Sequence, residues 1–154
     1  METLTITKHE KNYASIVHLS AFTKFLIPFG NYIVPGILWS TKKKESSFVD
    51  YHGKQILNFQ LSILMYSIFL GILAIPTIIG TVLSNFTWSE IESGNIVLDN
   101  MQINNLIGLG VFGVICTGIF VVLKVVEFFY IIYGAIKAND GEYFKYPLTI
   151  NFIK

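Results

Sequence analysis

Residues 55–89 read QILNFQLSILMYSIFLGILAIPTIIGTVLSNFTWS, thirty-five positions without one charged side chain. A helix needs about 20 apolar residues to cross the hydrocarbon core of a bilayer, and this run exceeds that. A second uncharged run, Asn100 to Leu123, follows a short acidic segment, Glu90 to Asp99. Core helices of a soluble domain this small are shorter and striped with charge, so both runs read as membrane segments.

Composition agrees. Of the 154 residues, 53% are hydrophobic and only 14% charged, and the mean hydropathy is +0.58; soluble domains carry about 25% charge. A net charge of +1 argues against an electrostatic nucleic-acid binder, and every positive residue is Lys, so bidentate Arg recognition of phosphate or carboxylate is absent. The lone Cys116 lies in an apolar run and has no internal disulfide partner.

Working outward from the first run, Ser47 to Asp50 has capping-box spacing, which predicts a helix start with Ser47 as cap, and Asp50 can pair with Lys54 one turn on. Asn58, Ser62 and Tyr66 continue the polar line into the membrane segment. This reads as an amphipathic cytoplasmic helix with solvated charges, or as a polar seam facing other helices. Upstream, Tyr13 to Trp39 is apolar but interrupted by His18, Lys24, Pro28, Gly30, Asn31 and Pro35. It forms either one kinked span, or a hairpin that turns at Pro28 to Asn31. Residues 1–12 are polar and expected to be flexible, and 13–154 are expected to form a single helical membrane domain. Downstream, the second long stretch, Ile103 to Ile136, should stop at Lys137 and Asn139-Asp140-Gly141.

Lysines set the orientation. Lys42, Lys43, Lys44, Lys54, Lys137, Lys145 and Lys154 share one side in a three-span arrangement, which should be cytoplasmic. Three spans leave Lys8 and Lys11 outside, whereas a hairpin returns them to the cytoplasm. The expected fold is therefore an all-α integral membrane bundle with three spans, or a re-entrant hairpin plus two spans, and a cytoplasmic amphipathic helix.

Chemical motifs are weak. Gly108 to Gly113 matches a dinucleotide-binding pattern in letters but follows no strand; with Gly118, these glycines read better as places where a neighbouring helix comes close. His18 and His52 lack Cys companions or shared helical spacing and read as hydrogen-bonded structural residues rather than metal ligands. Lys124 and Glu127 are the one ionisable pair inside the apolar run. At i and i+3 they share a face, either within a headgroup-level belt with Phe128, Phe129, Tyr130 and Tyr133, or as a buried functional pair.

His18-Leu19-Ser20, Pro28-Phe29-Gly30-Asn31, Phe48 to Lys54, Leu57-Asn58-Phe59-Gln60 and the ending Ala135 to Asn139 with Gly141 and Tyr146-Pro147-Leu148 closely resemble a family of small bacterial membrane proteins. That family is known as domain of unknown function four-eight-seven-zero, and it is related to the Tic-twenty-like subunit of chloroplast inner-envelope protein import. The resemblance implies an all-helical integral membrane protein and does not imply an enzyme. The central loop, Ser84 to Asn104, departs from it by being longer and more polar.

The expected role is that of a non-catalytic, multi-pass protein of the bacterial cytoplasmic (inner) membrane, scaffolding or stabilising a membrane complex. The alternative is a subunit of a transport or translocation pathway. No cofactor, metal or nucleic acid is expected; the partners are the lipid bilayer and a membrane protein or second copy. The candidate structural or contact residues are His18, Asn31, Asp50, His52, Gly53, Lys54, Asn58, Gln60, Lys124 and Glu127.

Overall fold

A computed structural model describes residues 5–85 and 100–154, and every regular element among them is helical. The loop expected over Ser84 to Asn104 falls largely outside the described residues. Helix α1, Lys8–Leu19, begins inside the polar N-terminal stretch with a capping box. Thr7 Oγ1 accepts the Glu10 N–H, and Glu10 returns a carboxylate oxygen to the Thr7 N–H at 2.8 Å. Hydrogen bonds from Ser46 and Thr7 hold the Glu10 carboxyl below its ordinary range.

A 3-10 helix, Ser20–Phe25, extends α1, and the chain then reverses before α2, Gly30–Lys42. Pro28 has no N–H to continue the helix, and Phe29 adopts left-handed backbone with φ 60°. Gly30 closes the turn because a Cβ there would fall 2.6 Å from the Thr23 carbonyl oxygen. The arms run back along each other: the Tyr13 hydroxyl donates to the Leu38 carbonyl at 2.8 Å and bonds Thr41 Oγ1 at 2.7 Å. Residues 13–39 are thus a hairpin, not one kinked span. Arms of 12 and 13 helical residues measure roughly 18–20 Å at 1.5 Å per residue, well short of a core about 30 Å thick.

Helix α3 covers Ser47–Asn85 without a break. Its cap is Ser46, one residue before the expected Ser47: Ser46 Oγ accepts the Val49 N–H and its carbonyl the Asp50 N–H. No separate amphipathic helix precedes the apolar run, because the polar turns from Ser47 to Asn58 are the start of α3 itself. Helix α4, Asn100–Asp140, stops where Gly141 turns to φ 85°. There the Gly141 N–H reaches the Ala138 carbonyl and the Glu142 N–H the Lys137 carbonyl, the double closure of a left-handed C-terminal cap.

Two helices, not three, are long and apolar enough to cross a membrane among the described residues: Ser47–Pro76 in α3 and Gly110–Asp140 in α4. The chain divides into two compact units. One comprises residues up to Met65 together with Val125–Lys154; Ala14, Phe48, Val49 and Ala138 are buried at its centre, with Ile6 and Tyr13 packed against them. The other, Tyr66–Lys124, presents large apolar side chains such as Phe69, Ile72, Val114 and Val122 outward. A helix that is apolar all round suits the core of a larger assembly or a membrane span. At Gly108, Gly110 and Gly118 an added Cβ would meet nothing among the described residues.

Candidate functional site

The site grows from one face of α4. Glu127, Ile131, Ala135 and Ala138 recur at helical spacing and are all buried. Gly134 belongs to the same face, and its missing Cβ matters: one would lie 2.5 Å from the Tyr146 hydroxyl and 3.2 Å from His18 Nδ1. Glycine lets the α4 backbone lie directly against a polar chain. In that chain the Tyr146 hydroxyl meets His18 Nδ1 at 2.7 Å, and His18 Nε2 meets His52 Nδ1 at 2.8 Å. All three side chains are buried, so α1, α3 and the C-terminal tail are joined at one place.

The order of protons along this chain follows from the tautomers of the two imidazoles. If the Tyr146 hydroxyl donates to His18, and His18 Nε2–H donates to His52 Nδ1, then His52 carries its proton on Nε2. Nε2 of His52 is buried without a hydrogen bond among the described residues. Burial, reinforced by the neighbouring His52, pushes His18 well below the usual imidazole value. Burial alone pushes the Tyr146 phenol well above its own. The chain is therefore neutral at pH 7. Aromatic rings pack around it, with Phe48 4.4 Å from His52 and Phe59 stacked 4.3 Å from Tyr146 between centroids.

The start of α3 binds α2 in a different way. Trp39 Nε1 donates to Asp50 at 2.8 Å, and Lys54 closes on the same carboxylate at 2.6 Å. Gly53 leaves the space that the indole fills, since a Cβ would collide with Trp39 Cδ1. Further along α3, Asn31 Nδ2 donates to Gln60 Oε1 at 2.7 Å. Gln60 Nε2 is buried without a hydrogen bond among the described residues. Asn58 is engaged by the tail, whose Phe152 and Ile153 N–H groups it accepts at 3.1 and 2.8 Å.

Glu127 is bonded across the unit. Its carboxylate, 1% exposed, meets Lys24 of the 3-10 helix at 2.5 Å, with Phe22 packed on Phe128 just beside it. The sequence places Lys124 one turn from Glu127; the structure adds a partner about a hundred positions away, while the Lys124 ammonium lies 5.4 Å over the Phe120 ring. The structure thus brings His18, His52, Asn31, Gln60, Asp50, Gly53, Lys54, Asn58 and Glu127 into one unit, with Lys124 in the other. It adds Lys24, Trp39, Gly134 and Tyr146, which sequence reasoning did not select. Lys24 alone carried a signal, as a single charge inside an apolar stretch. Chemically, the arrangement is a set of bonds between elements. Among the described residues no group of three or more His, Cys, Asp or Glu converges to hold a metal ion.

The model of the magnetosome magnetite crystal formation protein family matches residues 9–153. Neither the curated proteins nor the solved structures contain a match. The family match overturns the resemblance to the domain-of-unknown-function family and its Tic-twenty-like relative. The residues that suggested it, including His18, Gly53, Asn58 and Gln60, are the joints of this helical unit. Joints of that kind answer to packing and do not by themselves identify one family.

Proposed function

The chain belongs to the magnetosome magnetite crystal formation protein family, and from that premise we propose that it is a non-catalytic, multi-pass component of a bacterial inner membrane that scaffolds other membrane proteins. Its topology in this reading is two spans, α3 and α4, with the α1–α2 hairpin dipping into the bilayer from the lysine-bearing side. The observation that carries it is the hairpin tip. Phe25, Leu26, Ile27 and Phe29 are 53–83% exposed, uncharged and contiguous, a surface unsuited to water. Lys24, at the base of that tip, is bound to Glu127, which lies roughly 20 Å along α4 from Asp140 at 1.5 Å per residue. Lys11 meanwhile reaches the Asp140 carbonyl at 3.4 Å, so the open end of the hairpin stays with the lysine-rich end of α4.

This arrangement supports the positive-inside pattern without exception, because Lys8 and Lys11 join Lys42 to Lys44, Lys137 and Lys145. A scaffold is favoured over chemistry because the buried polar side chains are spent on joining one element to another. Affinity purification of the intact chain in a mild detergent tests the role. At least one further integral membrane protein is expected to co-purify with the parent, and less of it with a variant charged at the tip. Recovery of the chain by itself contradicts the scaffold reading.

A further inference from the structure

Beyond Tyr146 the chain is held by its main chain, not by its side chains. Ser62 Oγ accepts the Ile150 N–H at 2.9 Å, Asn58 Oδ1 accepts the Phe152 and Ile153 N–H groups, and Asn58 Nδ2 donates to the Ile153 carbonyl at 3.0 Å. Gln55 Oε1 accepts the Tyr146 N–H at 3.4 Å. The Ser62 hydroxyl donates its own proton to the Asn58 carbonyl at 2.7 Å, which leaves its lone pairs for the incoming N–H. Gln55, Asn58 and Ser62 form a single stripe on α3, and all three are buried. Without partners such groups would be costly. Their partners, however, are atoms that nearly any residue supplies.

The tail's side chains contribute little to this hold. Leu148, Ile150 and Phe152 are 71%, 38% and 48% exposed. The segment doubles back at Asn151, where the Phe152 N–H also reaches the Ile150 carbonyl at 3.1 Å. It leaves Tyr146 through Leu148, whose φ of 57° places a branched side chain in the left-handed region, where it is strained. Strained backbone, exposed side chains and main-chain bonds together describe a segment that can be exchanged.

We propose that the stripe of α3 centred on Asn58 and Ser62 is a binding site for a short, non-helical apolar peptide read through its main chain, and that residues 147–154, beyond the anchored Tyr146, are its resident, exchangeable occupant. The ligand class is a segment that offers successive free N–H groups and carries apolar side chains suited to lipid. Its side-chain identity enters weakly. The inference is independent of the scaffold reading, which rests on the hairpin.

Electron paramagnetic resonance on the full-length chain in detergent tests it. With Cys116→Ala and a nitroxide at Phe152→Cys, the label should be largely immobilised, and Asn58→Ala or Ser62→Ala should at least double its mobile fraction. A synthetic peptide with the sequence of residues 147–154, added in excess to the labelled parent, should raise the mobile fraction in the same way. The same peptide N-methylated at the positions matching Ile150 and Ile153 should not, whereas exchanging its Leu and Phe for Val should leave its effect within about twofold. A label indifferent to both α3 substitutions overturns the clamp. No response to the unmodified peptide overturns the exchangeable site, and an equal response to the N-methylated peptide overturns main-chain reading.

Discussion

Gly134 is the residue on which the buried chain depends most directly, since nothing larger fits between α4 and the Tyr146 and His18 pair. Gly134→Ala should lower stability by about 1–3 kcal/mol, the usual range for forcing atoms into a packed interior. Adding Tyr146→Phe should cost less than the two single effects combined, because it removes the atom that the new methyl group strikes. Unfolding midpoints in non-ionic detergent measure both. His18 yields a prediction in pH. Its folded value lies well below the ordinary 6.5, so in mildly acid solution the unfolded chain takes up a proton that the folded one refuses. Stability should be complete above about pH 6.5 and fall as pH drops through the window beneath it. Between pH 8 and 5 the unfolding midpoint of the parent should decline, and His18→Gln should flatten that decline; an equal slope in both would remove His18 as the cause. Glu10, with a depressed carboxyl value, contributes its own loss only at lower pH. At Lys24 the question is charge. Lys24→Leu takes one partner from the buried Glu127 carboxylate, which keeps another interaction, and should cost less than the ~3–5 kcal/mol of leaving a buried charge with no partner, while Lys24→Leu with Glu127→Leu should recover most of it.

At the scale of elements, the two long helices were legible because an uncharged run of that length has few other readings. The stop at Gly141 was legible too, from Lys137 and the Asn-Asp-Gly sequence. The hairpin stood as one of two readings, since Pro28 and Pro35 signal interruption without saying whether the chain bends or reverses. What decides it is the contact between the arms, the Tyr13 hydroxyl against the Leu38 carbonyl 25 positions on, too far apart for local pattern to relate. The candidate residues divide in the same way. Asp50 with Lys54 followed from helical spacing, while the joining of His18 to His52 and Tyr146 spans more than a hundred positions and leaves no periodic trace. Asn58 was visible as part of a polar line, but its partner is a backbone, which no side-chain pattern reveals. The hairpin tip makes an element-level prediction. Leu26 is 83% exposed, so Leu26→Arg should fold in detergent as the parent does; in cells it should accumulate less in the membrane, since a central Arg adds about 2.5–3.5 kcal/mol to insertion. Lys44→Arg, at the lysine-rich end, should change neither. Equal membrane accumulation of Leu26→Arg and the parent would place the tip in water.

For the whole molecule the decisive property is which groups face which side of the bilayer, and thiol labelling reads it directly. Cys116, the only native cysteine, is first replaced by Ala. Single cysteines then go to Lys8, Lys44 and Glu142, to Leu26 at the tip, and to Ser93 in the segment between the two spans. Lys44 is preferred to its neighbour Ser46, because Ser46 is buried and would resist reagent on either side. In cells that carry the chain in their cytoplasmic membrane, an impermeant maleimide should modify Ser93→Cys at once. Lys8→Cys, Lys44→Cys and Glu142→Cys should react only after the membrane is permeabilised. Leu26→Cys should stay protected in both conditions and react only in detergent, since lipid covers the tip from either face. Each position discriminates for a physical reason. Residues 13–39 forming a span would separate Lys8 from Lys44, and the positive-inside bias would then be broken by Lys8 and Lys11. A tip that crossed the bilayer would label from outside. The hairpin bound through Lys24 to Glu127 stops short, so Lys8 and Lys44 should label together and Leu26 with neither; Lys8 labelling alongside Ser93 would restore the three-span arrangement.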